Sequence, residues 1–155
     1  MNVTAIGDSV LLDASEPLQK IFPNMLVDAE VGRQLYQTTP IIKDYVQKGA
    51  LSKTVLISLG TNGSFSTEQM ADFMSAIGSQ RQVYWLNAYV PTRPWQNDVN
   101  EMLKGAVKKY PNLTVIDWYR QASQHSDWFY QDRVHPNPTG VNEYTAIITK
   151  AMVKK

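Results

Sequence analysis

Apolar residues fall along this chain in two rhythms. Short, mainly apolar runs at 3–6, 25–29, 54–59, 83–88 and 113–117 are rich in Val, Ile, Leu, Trp and Tyr. Turn residues bound each run, so they read as buried strands. Between them the apolar positions recur every three or four residues. In 97–110 Val99, Met102, Leu103, Ala106, Val107 and Tyr110 form one stripe, which predicts a helix with one buried face. In 67–77 the stripe is Met70, Phe73, Met74 and Ile77, and Ser66 with Gln69 has capping-box spacing. In 140–153 it is Tyr144, Ile147, Ile148, Ala151 and Met152, with Thr139 as the expected cap. Two weaker helices are expected to start near Pro17 and Pro40, because proline suits a first helical turn.

Strand–helix alternation of this kind predicts a parallel sheet with helices on both faces. Strands that are apolar throughout agree, since such a sheet is covered on both sides. The expected architecture is α/β: a three-layer αβα sandwich on a five-stranded parallel sheet, with residues 1–155 forming one domain. The length of 155 residues suits that reading.

Composition narrows the function. Apolar residues make up 43% and charged residues 19%, an ordinary globular balance. The 15 Lys and Arg nearly cancel the 14 Asp and Glu, and the terminal Lys154-Lys155 pair is too short for a basic run. Nothing in the charge favours nucleic acid or an anionic membrane. The chain has no cysteine, which removes disulfides, zinc-thiolate sites and thiol nucleophiles. No apolar stretch has the roughly 18 residues that span a bilayer. No signal peptide is visible, and the abrupt start and end suggest a piece of something larger.

Ligands of open parallel sheets sit beyond the carboxyl ends of the strands. The segments to inspect are therefore Gly7-Asp8-Ser9, 30–34, 60–63, 89–95 and 118–136. A serine nucleophile needs a base, an acid to orient that base, and donors for an oxyanion. Ser9 directly follows the first strand, although Asp8 or Ser9 could equally cap the next element. Of two histidines, His135 has Asp132 three residues before it. That spacing serves either catalysis or local order. His125, in "RQASQHSDW", reads as a structural or surface residue. Asn62 in "LGTNGS" is either part of a turn or an amide donor to an anion, and Gly32 can offer an unobstructed N–H. The dinucleotide and P-loop glycine motifs are absent. No metal site or cofactor is implied.

With these residues in hand, the chain resembles the SGNH (GDSL-type) hydrolases. The blocks are "GDS", a glycine after strand two, "GTN" after strand three and D-x-x-H near the end. The stretches "DAEVGRQLYQ", "NAYVPTRPWQNDVNEML" and "DRVHPNPTGVNEY" look in particular like the extracytoplasmic domain of bacterial peptidoglycan O-acetyltransferases. The resemblance implies Ser9 as nucleophile, His135 as base and Asp132 as its orienter. It implies an oxyanion hole from the Ser9 and Gly32 N–H groups and the Asn62 side chain. It leaves Asp8 a structural role. It also implies an acetyl donor, a wall-glycan acceptor, a membrane acyltransferase domain outside this chain and a place at the cell surface. The fourth signature residue departs from the family pattern, being Val10 here.

Three functions follow as expectations: acetyl transfer to wall polysaccharide, simple ester hydrolysis, or a silent glycan-binding module. The full set of Ser9, Asn62, Asp132 and His135 argues against the last. Arg33, Arg93 and Trp95 are the expected border of a glycan groove. Tyr89 and Trp95 could instead pack beneath their loop, as large aromatics commonly do.

Overall fold

The computed structural model describes residues 1–153; the Lys154-Lys155 pair lies outside the described residues. Five strands, β1 (Val3–Gly7), β2 (Met25–Ala29), β3 (Thr54–Ser58), β4 (Gln82–Leu86) and β5 (Leu113–Ile116), form one sheet in the order β2-β1-β3-β4-β5. Every pairing is parallel. The observed strands match the apolar runs to within two residues at either end. β1 is buried along its whole length, because it lies inside the sheet with helices over both faces.

Those helices are α1 (Ser9–Ile21), α2 (Leu35–Gln47), α3 (Thr67–Ile77), α4 (Gln96–Lys109), α5 (Trp118–Ala122) and α6 (Pro138–Met152). Leu35, Ile42, Met70, Phe73, Val99 and Leu103 bring α2, α3 and α4 onto one face. Val10, Leu11, Trp118, Tyr144 and Ile148 bring α1, α5 and α6 onto the other. The fold is thus the expected three-layer αβα sandwich. Among the described residues no helix is long and apolar enough to cross a membrane.

Two helices start earlier than proline suggested. α1 begins at Ser9, with the Asp8 side chain accepting from the Val10 N–H, and Pro17 lies inside it. α2 begins at Leu35 behind a Gln34–Gln37 capping box, and Pro40 lies inside it. A good cap outweighs the loss of one backbone bond per proline. α6 likewise starts at Pro138, and its cap is Asn137 rather than Thr139. α3 has the bounds and the Ser66–Gln69 box expected of it.

Trp85 on β4 is fully buried between Phe65 and Phe73, and its indole N–H donates to the Leu59 carbonyl at 3.0 Å. The bond ties β4 to the exit of β3, just before the Gly60–Asn62 turn. Truncating so large a core side chain typically costs about 3–5 kcal/mol. Gly7 pairs with Ala29 on one side and Ser58 on the other. The chain therefore leaves β1, β2 and β3 at one level, where the strand order reverses. That is the crevice in which such sheets bind ligands.

Candidate active site

Ser9 owes its place to close packing at the end of β1. A Cβ on Gly7 would lie 2.7 Å from the Ser58 carbonyl and 2.8 Å from the Leu11 Cβ. Only glycine lets β1 run this close to β3 before turning into α1. The Asp8 N–H donates to the Ser58 carbonyl at 3.1 Å. The Ser58 hydroxyl in turn accepts from the buried Tyr144 hydroxyl at 2.7 Å. Burial pushes the Tyr144 hydroxyl pKa up, so it stays a neutral donor. As the first residue of α1, Ser9 has a backbone N–H with no acceptor inside the helix.

His135 reaches Ser9 from across the fold, its Nε2 standing 2.9 Å from the Ser9 Oγ. Its Nδ1 is 2.5 Å from Asp132 Oδ2. With Nδ1 protonated toward Asp132, Nε2 presents a lone pair to the serine hydroxyl. Asp132 also shapes the turn, since Oδ1 accepts from the Val134 and His135 N–H groups at 3.0 Å each. Between them Arg133 takes a φ of 62°, a left-handed conformation that costs a non-glycine residue roughly 1–3 kcal/mol. The two bonds to Asp132 and the Arg133 N–H to Tyr130 carbonyl bond hold it there. Partial burial raises the Asp132 pKa, but the Val134 N–H, the His135 ring and the His135 N–H outweigh it. The net shift is downward, so the carboxylate stays ionised.

The other flank of Ser9 is buried. Asp8 is 0% exposed. Its Oδ2 accepts from the Thr61 hydroxyl at 2.5 Å and, more loosely, from the Asn62 amide at 3.4 Å. Desolvation pushes its pKa up to about 6, against the bonds from Thr61 and Val10 and the charge of His135. The Asn62 amide also donates to the Arg33 carbonyl at 3.3 Å. It therefore bridges the start of α1 and the loop after β2. In that loop Gly32 is exposed at a φ of 78°, and a Cβ there would meet nothing within 4 Å. Glycine answers a backbone need here, not a shortage of room.

Of the residues expected at a groove, Arg33 is corrected by the structure. It is 7% exposed, paired with Asp28 at 2.9 Å and Glu30 at 3.3 Å, and donates to the Asp28 carbonyl at 2.8 Å. Asp28 also accepts from Tyr45 at 2.7 Å. Arg33 is thus an internal brace for the loop that carries Gly32. Trp95 is half-buried, with its indole N–H donating to the Thr61 carbonyl at 3.1 Å, and Arg93 lies over its ring at 5.7 Å. Tyr89 is buried against Phe129, 4.7 Å between ring centroids. His125 makes no hydrogen bond to the serine and is stacked on Trp128 at 4.0 Å. Thr61 was missed by sequence reasoning; the only signal for it was its place between Gly60 and Asn62. Among the described residues no three His, Asp or Glu side chains gather as metal ligands.

Serine hydroxyl, imidazole and carboxylate in series at a strand end, beside an amide and an open N–H, can form and break an acyl ester. The fold and this geometry define a class, for the chain has the fold of the SGNH, or GDSL-type, hydrolases. No family model matches it. A member of the lipolytic G-D-S-L family from Veillonella parvula superposes with a TM-score of 0.80 at 19% identity, covering 100% of both chains. Its particular likeness is to peptidoglycan O-acetyltransferases. The protein OatA of Listeria monocytogenes, so named, is 38% identical over 97% of this chain and 24% of its own length. The C-terminal catalytic domain of OatA from Streptococcus pneumoniae, solved with a methylsulfonyl adduct, has a TM-score of 0.87 at 23% identity. That match covers 98% of this chain and 92% of the other. The chain spans about a quarter of the length of the relatives it matches.

Proposed function

We propose that residues 1–155 act as one catalytic domain that carries an acetyl group on Ser9 and passes it to a hydroxyl of cell-wall glycan. His135 takes the proton from Ser9 as the hydroxyl attacks the acetyl carbonyl of a donor, and returns it to the leaving group. The acceptor hydroxyl then gives its proton to His135 and attacks the acetyl-serine carbonyl. Asp132 holds the imidazole in the required tautomer and offsets its positive charge. The Ser9 and Gly32 N–H groups and the Asn62 amide receive the oxyanion. The observation that carries this reading is the 2.9 Å approach of His135 Nε2 to Ser9 Oγ, with Asp132 behind it. The likeness to an O-acetyltransferase of Listeria supports the acetyl group and the glycan. The domain works outside the cytoplasm in this reading, supplied with acetyl groups by a membrane acyltransferase domain beyond the residues of this chain.

The test is covalent. Methanesulfonyl fluoride should label Ser9, as read by peptide mass spectrometry, and Ser9→Ala should take up no label and lose acetyl turnover. Acetylated chitooligosaccharide should form from a small acetate ester and the intact protein. Brisk hydrolysis with no acetylated glycan would make the protein an esterase. Labelling of the alanine variant would remove Ser9 from the mechanism.

A further inference from the structure

An acyl carbonyl on Ser9 has two sides with different needs. One faces the oxyanion donors, where Gly32 and Asn62 lie. The other must admit the attacking hydroxyl, which has to reach His135 Nε2 to lose its proton. The expected glycan border of Arg33, Arg93 and Trp95 does not meet the second need. Arg33 is sealed inside, and Trp95 is covered by Arg93 and bonded to Thr61.

A cleft of about 680 Å³ opens instead against the His135 side. His135 and Asp132 form one wall of it, and Asp13, Tyr130, Val141 and Asn142 line it with the proline-bounded turn into α6. Asp13 is four residues beyond Ser9 in α1, hence on the same helix face one turn along. Tyr130 is 58% exposed. Among the described residues Asp13, Tyr130 and Asn142 spend no side-chain polar atom on a hydrogen bond or ion pair. Burial raises the Asp13 carboxyl pKa, the His135 charge opposes that rise, and the Asp132 charge adds to it. Asp13 therefore feels both members of the site.

The lining suits one ligand chemistry. An exposed phenol ring with Pro136, Pro138 and Val141 offers apolar surface for the C–H face of a sugar ring. The Asp13 carboxylate and the Asn142 amide offer an acceptor and a mixed donor–acceptor for its hydroxyl and N-acetyl groups. Two carboxylates in one cleft repel an anion, which favours an uncharged sugar. The volume lies within the range of small-ligand sites.

We propose that this cleft is the acceptor subsite, in which Tyr130, Asp13 and Asn142 hold a neutral N-acetylhexosamine unit with its hydroxyl toward His135 Nε2. This rests on the acetyl-transfer reading. The bond formed is sugar oxygen to acetyl carbon; the bond broken is Ser9 Oγ to acetyl carbon. The sugar proton passes to His135 Nε2 and then to Ser9 Oγ, which restores the free hydroxyl. Water at about 55 M competes, so the bound hydroxyl wins by orientation, for which effective molarities of about 10⁵ M are attainable.

The experiment is an amide-resolved NMR titration of the protein with chitotetraose, run alongside the sulfonyl labelling. Shifts at Asp13, Tyr130 and Asn142, with none at Arg93 or the Trp95 indole, are the expected result. Tyr130→Ala and Asp13→Asn should each raise the acceptor KM roughly tenfold, the ~1.4 kcal/mol of one contact. Both should lower transfer more than hydrolysis of a small acetate. Shifts centred on Arg93 and Trp95, or no shifts at all, would overturn the subsite. Shifts in the cleft with Ser9 left unlabelled would keep the glycan site and overturn the acetyl-transfer reading instead.

Discussion

The two flanks of Ser9 are built in opposite ways. On one side Asp8 and Arg33 are charged groups taken out of water, and Thr61, Asn62, Asp28 and Glu30 satisfy them. On the other side His135 and Asp132 keep 38% and 49% of their side-chain surface exposed. The difference suits the tasks proposed for them. Oxyanion donors work best when they need no rearrangement as charge develops, and in the proposed mechanism buried partners brace them. In the same mechanism a base that serves first Ser9 and then an incoming hydroxyl must stay open on one edge. A single carboxylate in a tight turn holds it while leaving Nε2 accessible. Substitutions on the buried flank will therefore mix stability with catalysis, whereas replacing His135 on the exposed flank will touch catalysis alone.

His135→Ala is the sharpest test of that contrast. It should lower kcat by about 10²–10⁴, the usual worth of a positioned acid–base group. Thermal unfolding should move little, because His135 lies at the surface. His125→Ala should leave turnover near its starting rate, since His125 stacks on Trp128 and makes no hydrogen bond to Ser9. A large fall in the melting temperature of the His135 variant would make the exposed flank structural too. Asn62→Ala comes next, with kcat lower by about 10²–10³ and KM less affected, as for one oxyanion donor. Unlike the histidine variant it should also lose some stability, because Asp8 and the Arg33 carbonyl each give up a partner. An unaltered kcat in a folded variant would leave Asn62 a turn residue.

The same contrast explains what was readable in the sequence. Strands were legible because a covered parallel sheet makes them apolar throughout, and β1 and β3 are the best cases. Ser9, Asn62 and His135 were legible as neighbours because each follows a strand or precedes the last helix, and the sheet carries those points to one edge. The helix starts at Ser9 and Leu35 were not, since capping by Asp8 and Gln34 outcompetes the proline signal. Arg33 was misread because an arginine after a strand resembles a surface ligand. Its partners Asp28 and Glu30, five and three residues earlier, were the available sign of a brace. The α5 helix and the following turn at Ser126–Trp128 went unforeseen, being short and ordered by Trp118–Trp128 stacking. The cleft beside His135 was invisible, because it arises where α1, α6 and the turn before α6 meet, far apart in the chain.

Asp8→Asn is the smallest loss expected of the residues around Ser9 and the most diagnostic of the buried flank. The asparagine oxygen can still accept from Val10, and its amide can donate to the Thr61 hydroxyl. That amide then faces the Asn62 amide, two donors with no acceptor between them. Losing one such bond is worth about 1.4 kcal/mol, so kcat should fall roughly tenfold. Stability should respond with a definite sign. The Asp8 carboxyl titrates near the usual 3.8 when unfolded and at about 6 when folded. Between those values the folded protein holds more protons, so this group makes stability fall as pH rises from about 4 to about 6. Over the full window the loss amounts to ~3 kcal/mol, and above it the contribution is flat. Asp132 has the opposite sign, contributing stability that is lost as pH falls through its lowered pKa. The difference between wild type and Asp8→Asn isolates Asp8, because both proteins keep Asp132. Denaturant unfolding at several pH values should thus show wild type gaining on the variant as pH drops from 7 to 4. A difference that stays constant across that range would mean Asp8 ionises as easily folded as unfolded, and burial would then set no electrostatic cost on this flank.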